Sequence, residues 1–545
     1  MLPRKSYLAV IGLILVALFL VACGGTTPAA PVEEAASAVE AAVEEVAAPV
    51  EEAVEAEAAA PTEAPTEAPA EVPTEEPMVE PTEEPMAAPV EVSYIYPGGI
   101  PSDLATVEEA LNGLLKDRGV NATIVLTPVD WGSYTDKVNL MVAAGEECDL
   151  LFVAPWLAPS YAQLIANGAL LPLNDMLDMD AAELVASLPT GALDATTVNG
   201  NIYGIPNQQI WVKPFGPVVR QDLADTYEFD ISTITDLAGL EPFLSAVAAN
   251  ETDTFPATSG AFVNEVFGWD PIVTQDAGVV VRFDDGDLTV FNGYASPEFA
   301  DHVALMRAWY DAGYFPLDEV PGEDFNNLWQ TGRFGSSLFE VVQPDISFVF
   351  EANRGFPVYA KALAEPFMST ASVSASMNAV CQTSESPAEA LQILNLLNTD
   401  VEFYNTLAKG VEGKHWVWVD QAANVIGPGP DADGYAPGTD WMFGNVFNAF
   451  YNDPALAEQD ITGQTAALNA AAPPSVALGF TFDPDPVKNE LAQVSAVVSE
   501  IGVPLYKGET DPAETLPEFL DALEGAGIGR IIEEAQAQLN AWAGR

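Results

Sequence analysis

Between Val92 and Val153 the apolar pattern alternates between two periods, and this constrains the fold more than any other stretch. Val92 to Tyr96 reads as a short strand that breaks at Pro97-Gly98-Gly99. Leu104 to Arg118 carries apolar residues at Leu104, Val107, Leu111 and Leu114 or Leu115, a helical stripe stopped by Gly119. Ala122 to Leu126 alternates as a strand, Ser133 to Ala144 is helical again, and Asp149 to Val153 is apolar enough for a central strand. Strand, helix, strand, helix, strand at short intervals predicts a parallel sheet with right-handed crossovers. Binding groups in such sheets collect in the loops after strand C-termini. Those loops are Tyr96-Pro97-Gly98, Val129-Asp130-Trp131 and Ala154-Pro155-Trp156, and two of them carry a Trp.

A second stretch, Asn199 to Arg220, begins as a hairpin. Asn199-Gly200 supplies the positive φ angles of a type I′ turn, and Ile202 and Tyr203 start a returning strand. Pro206 and Pro214 limit regular pairing beyond it. Between them Asn207-Gln208-Gln209-Ile210-Trp211 combines neutral hydrogen-bonding side chains with a large aromatic, a mixture suited to a polar, uncharged ligand.

The N-terminal region is not globular. Arg4 and Lys5 precede an apolar run from Tyr7 to Ala22, the pattern of a secretory signal over residues 1–22. Leu20-Val21-Ala22-Cys23-Gly24 resembles the lipobox of bacterial lipoproteins, which implies lipid on the Cys23 sulfur and anchoring outside the cytoplasm. From residue 23 to 91 the composition reduces to Ala, Glu, Pro, Val and Thr, with Pro-Thr-Glu units opening at Pro61, Pro65, Pro73 and Pro81. Gly24 to Val92 holds 18 Glu and no Lys, Arg or Asp, so this stretch is read as a disordered tether. The formal charge of the whole chain is −63. Setting aside the tether's Glu and the signal's Arg4 and Lys5 leaves 63 acidic against 16 basic residues, or −47, on the body. Such a surface repels polyphosphate, which excludes nucleic acid as a partner. Apart from Cys23 only Cys148 and Cys381 remain, and in an exported protein they are either one disulfide or two buried thiols.

Further along, Leu237 to Ala249 reads as a helix, and Val279 to Phe283 and Leu288 to Phe291 read as a hairpin. Its turn, Asp284-Asp285-Gly286-Asp287, lacks the spaced ligands and closing Glu of a calcium loop. Ser296 caps a helix to Ala312. Met368 to Val380 reads as strand, Ser386 caps a helix to Asn398, and Thr399-Asp400 opens another to Ala408. Helices are predicted near Trp441 to Tyr451, Val487 to Glu500, Leu516 to Leu523 and Ile528 to Trp542.

The order of these parts resembles the family 1 extracellular solute-binding proteins of ABC importers. The resemblance rests on the lipobox, the acidic tether, Tyr203-Gly204-Ile205-Pro206, Val219-Arg220-Gln221-Asp222-Leu223, and Ser386-Pro387-Ala388-Glu389-Ala390 with Leu394, Leu397 and Thr399-Asp400. Gly410-Val-Glu-Gly-Lys-His-Trp416 and Gly479-Phe480-Thr-Phe-Asp483-Pro484 resemble its LipO-like subgroup. The resemblance implies an α/β fold of the type II periplasmic-binding class, with two lobes joined by hinge crossovers. Lobe 1 would comprise 92–208 and 366–425, and lobe 2 would comprise 209–365 and 426–545. It also implies a monomer that closes on a small solute, most simply an oligosaccharide, and then docks on permease subunits, with no cofactor. In that topology the strands beginning at Cys148 and ending at Cys381 lie antiparallel at matching ends, which implies a Cys148–Cys381 disulfide.

Sugars present hydroxyl rims and C–H faces, so their sites combine planar polar groups with aromatic platforms. The candidate ligand-binding residues are Trp131, Trp156, Asn207, Gln209, Trp211, Glu412, His415, Trp416 and Trp441, with Asp130 and Lys414 as further polar partners. Trp418 and Trp542 are assigned to the core. His415 has no partner at metal-ligand spacing. A glycoside hydrolase is the competing class, with Asp130 and Glu412 as a conceivable carboxylate pair. No nucleophile elbow, zinc-protease helix or phosphate loop is present in the sequence. A glycan-binding surface lipoprotein without transport, or a receptor for peptides or another polar solute, would share many of the same residues.

Overall fold

The structure is a computed structural model and describes residues 88–316 and 327–544. The signal sequence, Cys23 and nearly all of the tether lie outside the described residues. The body is built as two α/β lobes.

The first sheet forms as the periodicity predicts. β1 (Val90–Pro97) lies parallel to β2 (Ala122–Val129) on one side and to β3 (Leu150–Val153) on the other. β3 is buried at all four positions, which its unbroken Leu-Leu-Phe-Val run requires. The crossover helices are α1 (Leu104–Asp117), burying Val107, Leu111 and Leu115, and α2 (Trp131–Ala144), burying Tyr134, Val138 and Met141. Asp130 caps α2 by accepting from Gly132 N, and Gly145 ends it at φ 63°.

Later segments complete this sheet from far along the chain. β11 (Met377–Val380) runs antiparallel to β3, with Val380 opposite Leu150 and Met377 opposite Val153. β4 (Ile205–Pro206) closes the far edge by pairing with β11. Cys148 and Cys381, at the matching ends of β3 and β11, form a disulfide with Cα atoms 5.7 Å apart. The Asn199-Gly200 turn has φ angles of 51° and 81° and joins the two-residue strands Thr197–Val198 and Asn201–Ile202.

The second lobe holds two small antiparallel sheets. β5 (Phe215–Arg220) lies between β9 (Ser336–Val341) and β10 (Val358–Ala360). β7 (Val279–Arg282) lies between β6 (Trp269–Pro271) and β8 (Phe291–Asn292). The hairpin expected from Leu288 is therefore shorter: Leu288 takes φ 55° and leaves the strand to Phe291–Asn292. The helix predicted from Ile528 to Trp542 is present with those bounds and buries Ile528, Ile531, Ala535 and Leu539 against the β6–β8 side.

Other segments depart from their sequence pattern. Met368 to Val380 is strand only from Met377, because Ser369 caps a short helix over Thr370–Val373. Trp441 to Tyr451 is not a helix: it forms two single turns, Asp440–Met442 and Val446–Asn448, separated by Gly444 at φ 91°. A Cβ at Gly444 would lie 2.7 Å from the Leu397 carbonyl, so the chain turns here where helix propensity would continue. This region also packs beyond the 425 boundary expected for the first lobe, since Tyr435, Met442 and Phe443 sit in the core beneath β1 and β3.

A small core joins the lobes. Trp211 and Val212 from one crossing and Met368 and Val373 from another pack with Ala192, Ala195 and Ala472. The chain segment running through Ala472 was not anticipated in this core. Asn469 fastens it: its Oδ1 accepts from Trp211 N (3.0 Å) and Val212 N (3.3 Å), and its Nδ2 donates to Gln209 O (2.6 Å).

Candidate solute-binding site

Three tryptophans meet at the C-terminal edge of the first sheet. Trp131 opens α2 directly after β2, Trp156 follows β3, and Trp441 lies in the turn after Asp440. The Trp131 ring is 6.2 Å from Trp156 and 6.4 Å from Trp441, with interplanar angles of 24° and 20°. Phe152, the third residue of β3, meets Trp441 edge-on at 5.8 Å. Trp131 and Trp156 are 43% and 53% exposed, so these rings present faces to solvent where most large aromatics in the body are buried. Trp156 is held by donating Nε1–H to the Ala375 carbonyl at 2.6 Å.

The Trp441 turn is anchored more heavily. Lys409 Nζ pairs with Asp440 Oδ2 at 2.7 Å, Tyr404 donates to Asp440 O, and Ser376 Oγ donates to Trp441 O. Behind it lies a buried polar group. Asn207 Nδ2 donates to Ser376 Oγ (2.8 Å) and Met442 O (2.9 Å), while its Oδ1 accepts from Asn378 Nδ2 (2.8 Å) and Gly444 N (2.9 Å). Tyr94 donates to Asn378 Oδ1 at 2.8 Å, and burial pushes its phenol well above the ordinary range. Sequence reasoning missed Tyr94, Asn378 and Ser376. The one signal was Asn378 itself, an amide in the otherwise apolar strand Met377–Val380.

The other predicted residues lie elsewhere or point inward. Trp211 is fully buried, donates Nε1–H to Asn207 O at 3.0 Å and backs a small cavity of ≈ 50 Å³. Lys213, Glu265, Glu365, Phe367 and Ser372 also line that cavity, where the crossings meet the second lobe. Burial raises the Glu265 carboxyl, with Lys213 acting in the opposite sense. Gln209 is half-buried. Behind Glu265, burial pushes Asp270 up to about 6 although Ser475 donates to it at 2.5 Å.

Glu412, His415 and Trp416 form a separate group around the hairpin of β12 (Trp416–Asp420) and β13 (Val425–Pro428). His415 is buried, accepts from Val411 N at Nδ1 and donates from Nε2 to Asp103 at 3.1 Å. Lys414 and His415 together hold the Asp103 carboxyl below the usual carboxylate range, Lys414 with the larger share. Trp416 is buried and donates to Gly410 O, whereas Trp418, assigned to the core, is half-buried. Trp542, also assigned to the core, is 45% exposed. Asp130 stays beside Trp131 as the helix cap, while Glu412 belongs to the hairpin group. Among the described residues no cluster of His, Cys, Asp and Glu is placed to hold a metal, and no helix is long and apolar enough to cross a membrane.

Two α/β lobes, joined through a compact hinge core and carrying exposed aromatics at strand ends, define the architecture of a solute-binding protein. The chain belongs to the family described as bacterial extracellular solute-binding protein, whose signature matches residues 114–411. Residues 476–544 match a second signature, a domain of unknown function. A carbohydrate ABC transporter substrate-binding protein of Streptococcus pneumoniae serotype 4 is 25% identical over 456 residues, 81% of this chain and 88% of that one. Among solved structures, the N-glycan transport solute-binding protein of S. pneumoniae superposes with a TM-score of 0.71 at 24% identity, covering 83% of this chain and 98% of that one. It has also been solved with Man1GlcNAc and with Man5GlcNAc. An HMO-binding, ABC-transporter-associated solute-binding protein of Bifidobacterium longum infantis superposes at 0.57 with 17% identity, covering 84% of this chain and 99% of that one.

Proposed function

We propose that this protein is the receptor of an ABC importer for oligosaccharides, held outside the cytoplasm by lipid on Cys23, acting as a monomer and without catalysis. The observation that carries the reading is the convergence of Trp131, Trp156 and Trp441 at one sheet edge, two of them with exposed faces. Indole faces suit the C–H faces of pyranose rings, and the cavity backed by Trp211 offers Gln275, Ser369 and Ser372 as uncharged hydrogen-bonding groups. The carbohydrate-transport role of the S. pneumoniae relative supports the same class of ligand. Lobe 1 is taken as 92–208 with 366–425, extended to Ala449 because that segment packs on its core. Lobe 2 is taken as 209–365 with the C-terminal remainder. A solute touching both lobes favours the closed state by its greater affinity for it, and the closed form is what permease subunits would receive.

The test is small-angle scattering of the purified chain with Man1GlcNAc, Man5GlcNAc and a set of linear oligosaccharides, followed by chromatography of the recovered sugar. Compaction with intact sugar supports a receptor. Hydrolysed sugar returns the enzyme reading. Binding without compaction, together with no stimulation of a reconstituted permease, favours a non-transport glycan-binding protein.

A further inference from the structure

Asn207 was expected to touch ligand, yet all of its side-chain hydrogen-bonding capacity is engaged inside the protein. A primary amide has two N–H hydrogens and two oxygen lone pairs. Here the hydrogens go to Ser376 Oγ and Met442 O, and the lone pairs take Asn378 Nδ2 and Gly444 N. The side chain is 1% exposed. Three of these four partners bear on the Trp441 turn: Met442 O and Gly444 N belong to it, and Ser376 Oγ donates onward to Trp441 O. Asn207 also belongs to the crossing between the lobes, where its own carbonyl accepts from Trp211 Nε1.

We infer that Asn207 is a positioning residue that fixes Trp441 as a platform and links it to the hinge core through Trp211. The turn is also anchored at Asp440 by Lys409 and Tyr404, while Asn207 bonds the stretch that follows Trp441, at Met442 and Gly444. It has only single helical turns, it carries Gly444 in the left-handed region, and Trp441 itself stands against Trp131 and Phe152 at the solvent edge. A buried amide saturated by tertiary partners holds one geometry, because any displacement leaves a polar group unpaired in the interior. Displacement of Trp441 on contact with solute is thereby transmitted to Asn207, whose main chain leads into the crossing. The inference rests on the proposed oligosaccharide site but predicts a signal without ligand as well.

The experiment is a double-mutant cycle by isothermal titration of the full chain with Man5GlcNAc, using Asn207→Ala, Trp441→Ala and the double variant. Each single change is expected to weaken binding roughly tenfold. The double variant should bind about as Trp441→Ala does, since what Asn207 contributes passes through the indole. Independent losses that multiply to roughly a hundredfold overturn the inference. In the ligand-free arm, acrylamide quenching of the emission lost in Trp441→Phe reports the Trp441 environment. Asn207→Ala should raise quenching of that component and leave the component lost in Trp131→Phe unchanged. Unchanged Trp441 quenching overturns the inference whether or not sugar binds. If the unaltered chain does not bind Man5GlcNAc while Trp441 quenching responds to Asn207→Ala, positioning stands and the choice of sugar fails. Should Asn207→Ala not fold, Ser376→Ala enters the same cycle and the same quenching test, because it removes one acceptor of Asn207 and the bond to Trp441 O.

Discussion

Trp211→Ala separates a hinge-core role from a ligand-contact role. The indole is fully buried among Ala192, Ala195, Val212, Met368, Val373 and Ala472, so truncation opens a cavity where four chain segments meet. Burial of this kind costs about 3–5 kcal/mol when a large aromatic is cut to Ala. The lost Nε1 donor leaves the Asn207 carbonyl short of one partner, worth about 1 kcal/mol more. The backbone bonds from Trp211 and Val212 to Asn469 do not depend on the side chain and survive, so the total stays at about 4–6 kcal/mol. The assay is guanidinium unfolding followed by circular dichroism, with hydrogen exchange of residues 209–212 as a local probe, since a two-lobed chain need not unfold in one step. Trp211→Phe, which keeps most of the volume, should lose about 1–2 kcal/mol. An unchanged unfolding midpoint for Trp211→Ala, combined with abolished sugar binding, would refute the reasoning and make the indole a solute contact.

Trp131→Ala should behave oppositely: a side chain 43% exposed costs under about 1 kcal/mol of stability, while oligosaccharide affinity falls roughly tenfold in a titration. Replacing Cys148 and Cys381 by Ala opens a cross-link spanning 233 residues, for which chain entropy allows at most about 5.5 kcal/mol, read as a lower midpoint in the same denaturant experiment. Asp270, raised by burial to about 6 from 3.8, contributes stability that is present below pH 3.8 and lost as pH rises through 6; Asp270→Asn should therefore flatten that fall, by up to about 3 kcal/mol in unfolding measured at pH 4 and pH 8. His302, lowered by burial from 6.5 to about 4, contributes in the other sense: its stability is complete above pH 6.5 and lost as pH falls through 4, so His302→Gln should steady the acid side of the same profile.

Much of this was legible where local pattern and tertiary context agree. The change of period between Val92 and Val153 specified the parallel strands, and with them the places of Trp131 and Trp156. Trp441 was legible as an aromatic candidate but not in its local structure, because Gly444 and the bonds to Asn207 override the helical tendency of its neighbours. Trp416 and Trp418 exchanged places relative to expectation. They lie two residues apart on the same face of one strand, both against Phe450, so strand periodicity does not separate them; the bond from Trp416 to Gly410 O marks the more buried of the two. His415 read as a polar cleft residue, whereas its partner Asp103 lies 312 residues away. Asn469 left no signal either, since an amide inside a helix stripe reads as surface until a crossing 258 residues earlier is placed beside it.

The central claim is that this chain recognises sugars and closes on them. A thermal-shift screen of the purified protein tests it most directly, using oligosaccharides, sugar alcohols, amino acids and peptides under one set of conditions. At a hundredfold excess over its dissociation constant a true ligand adds about 2.7 kcal/mol to the folded state. The account predicts that oligosaccharides raise the melting temperature, with the effect lost in Trp131→Ala. A shift produced only by peptides or amino acids would contradict it.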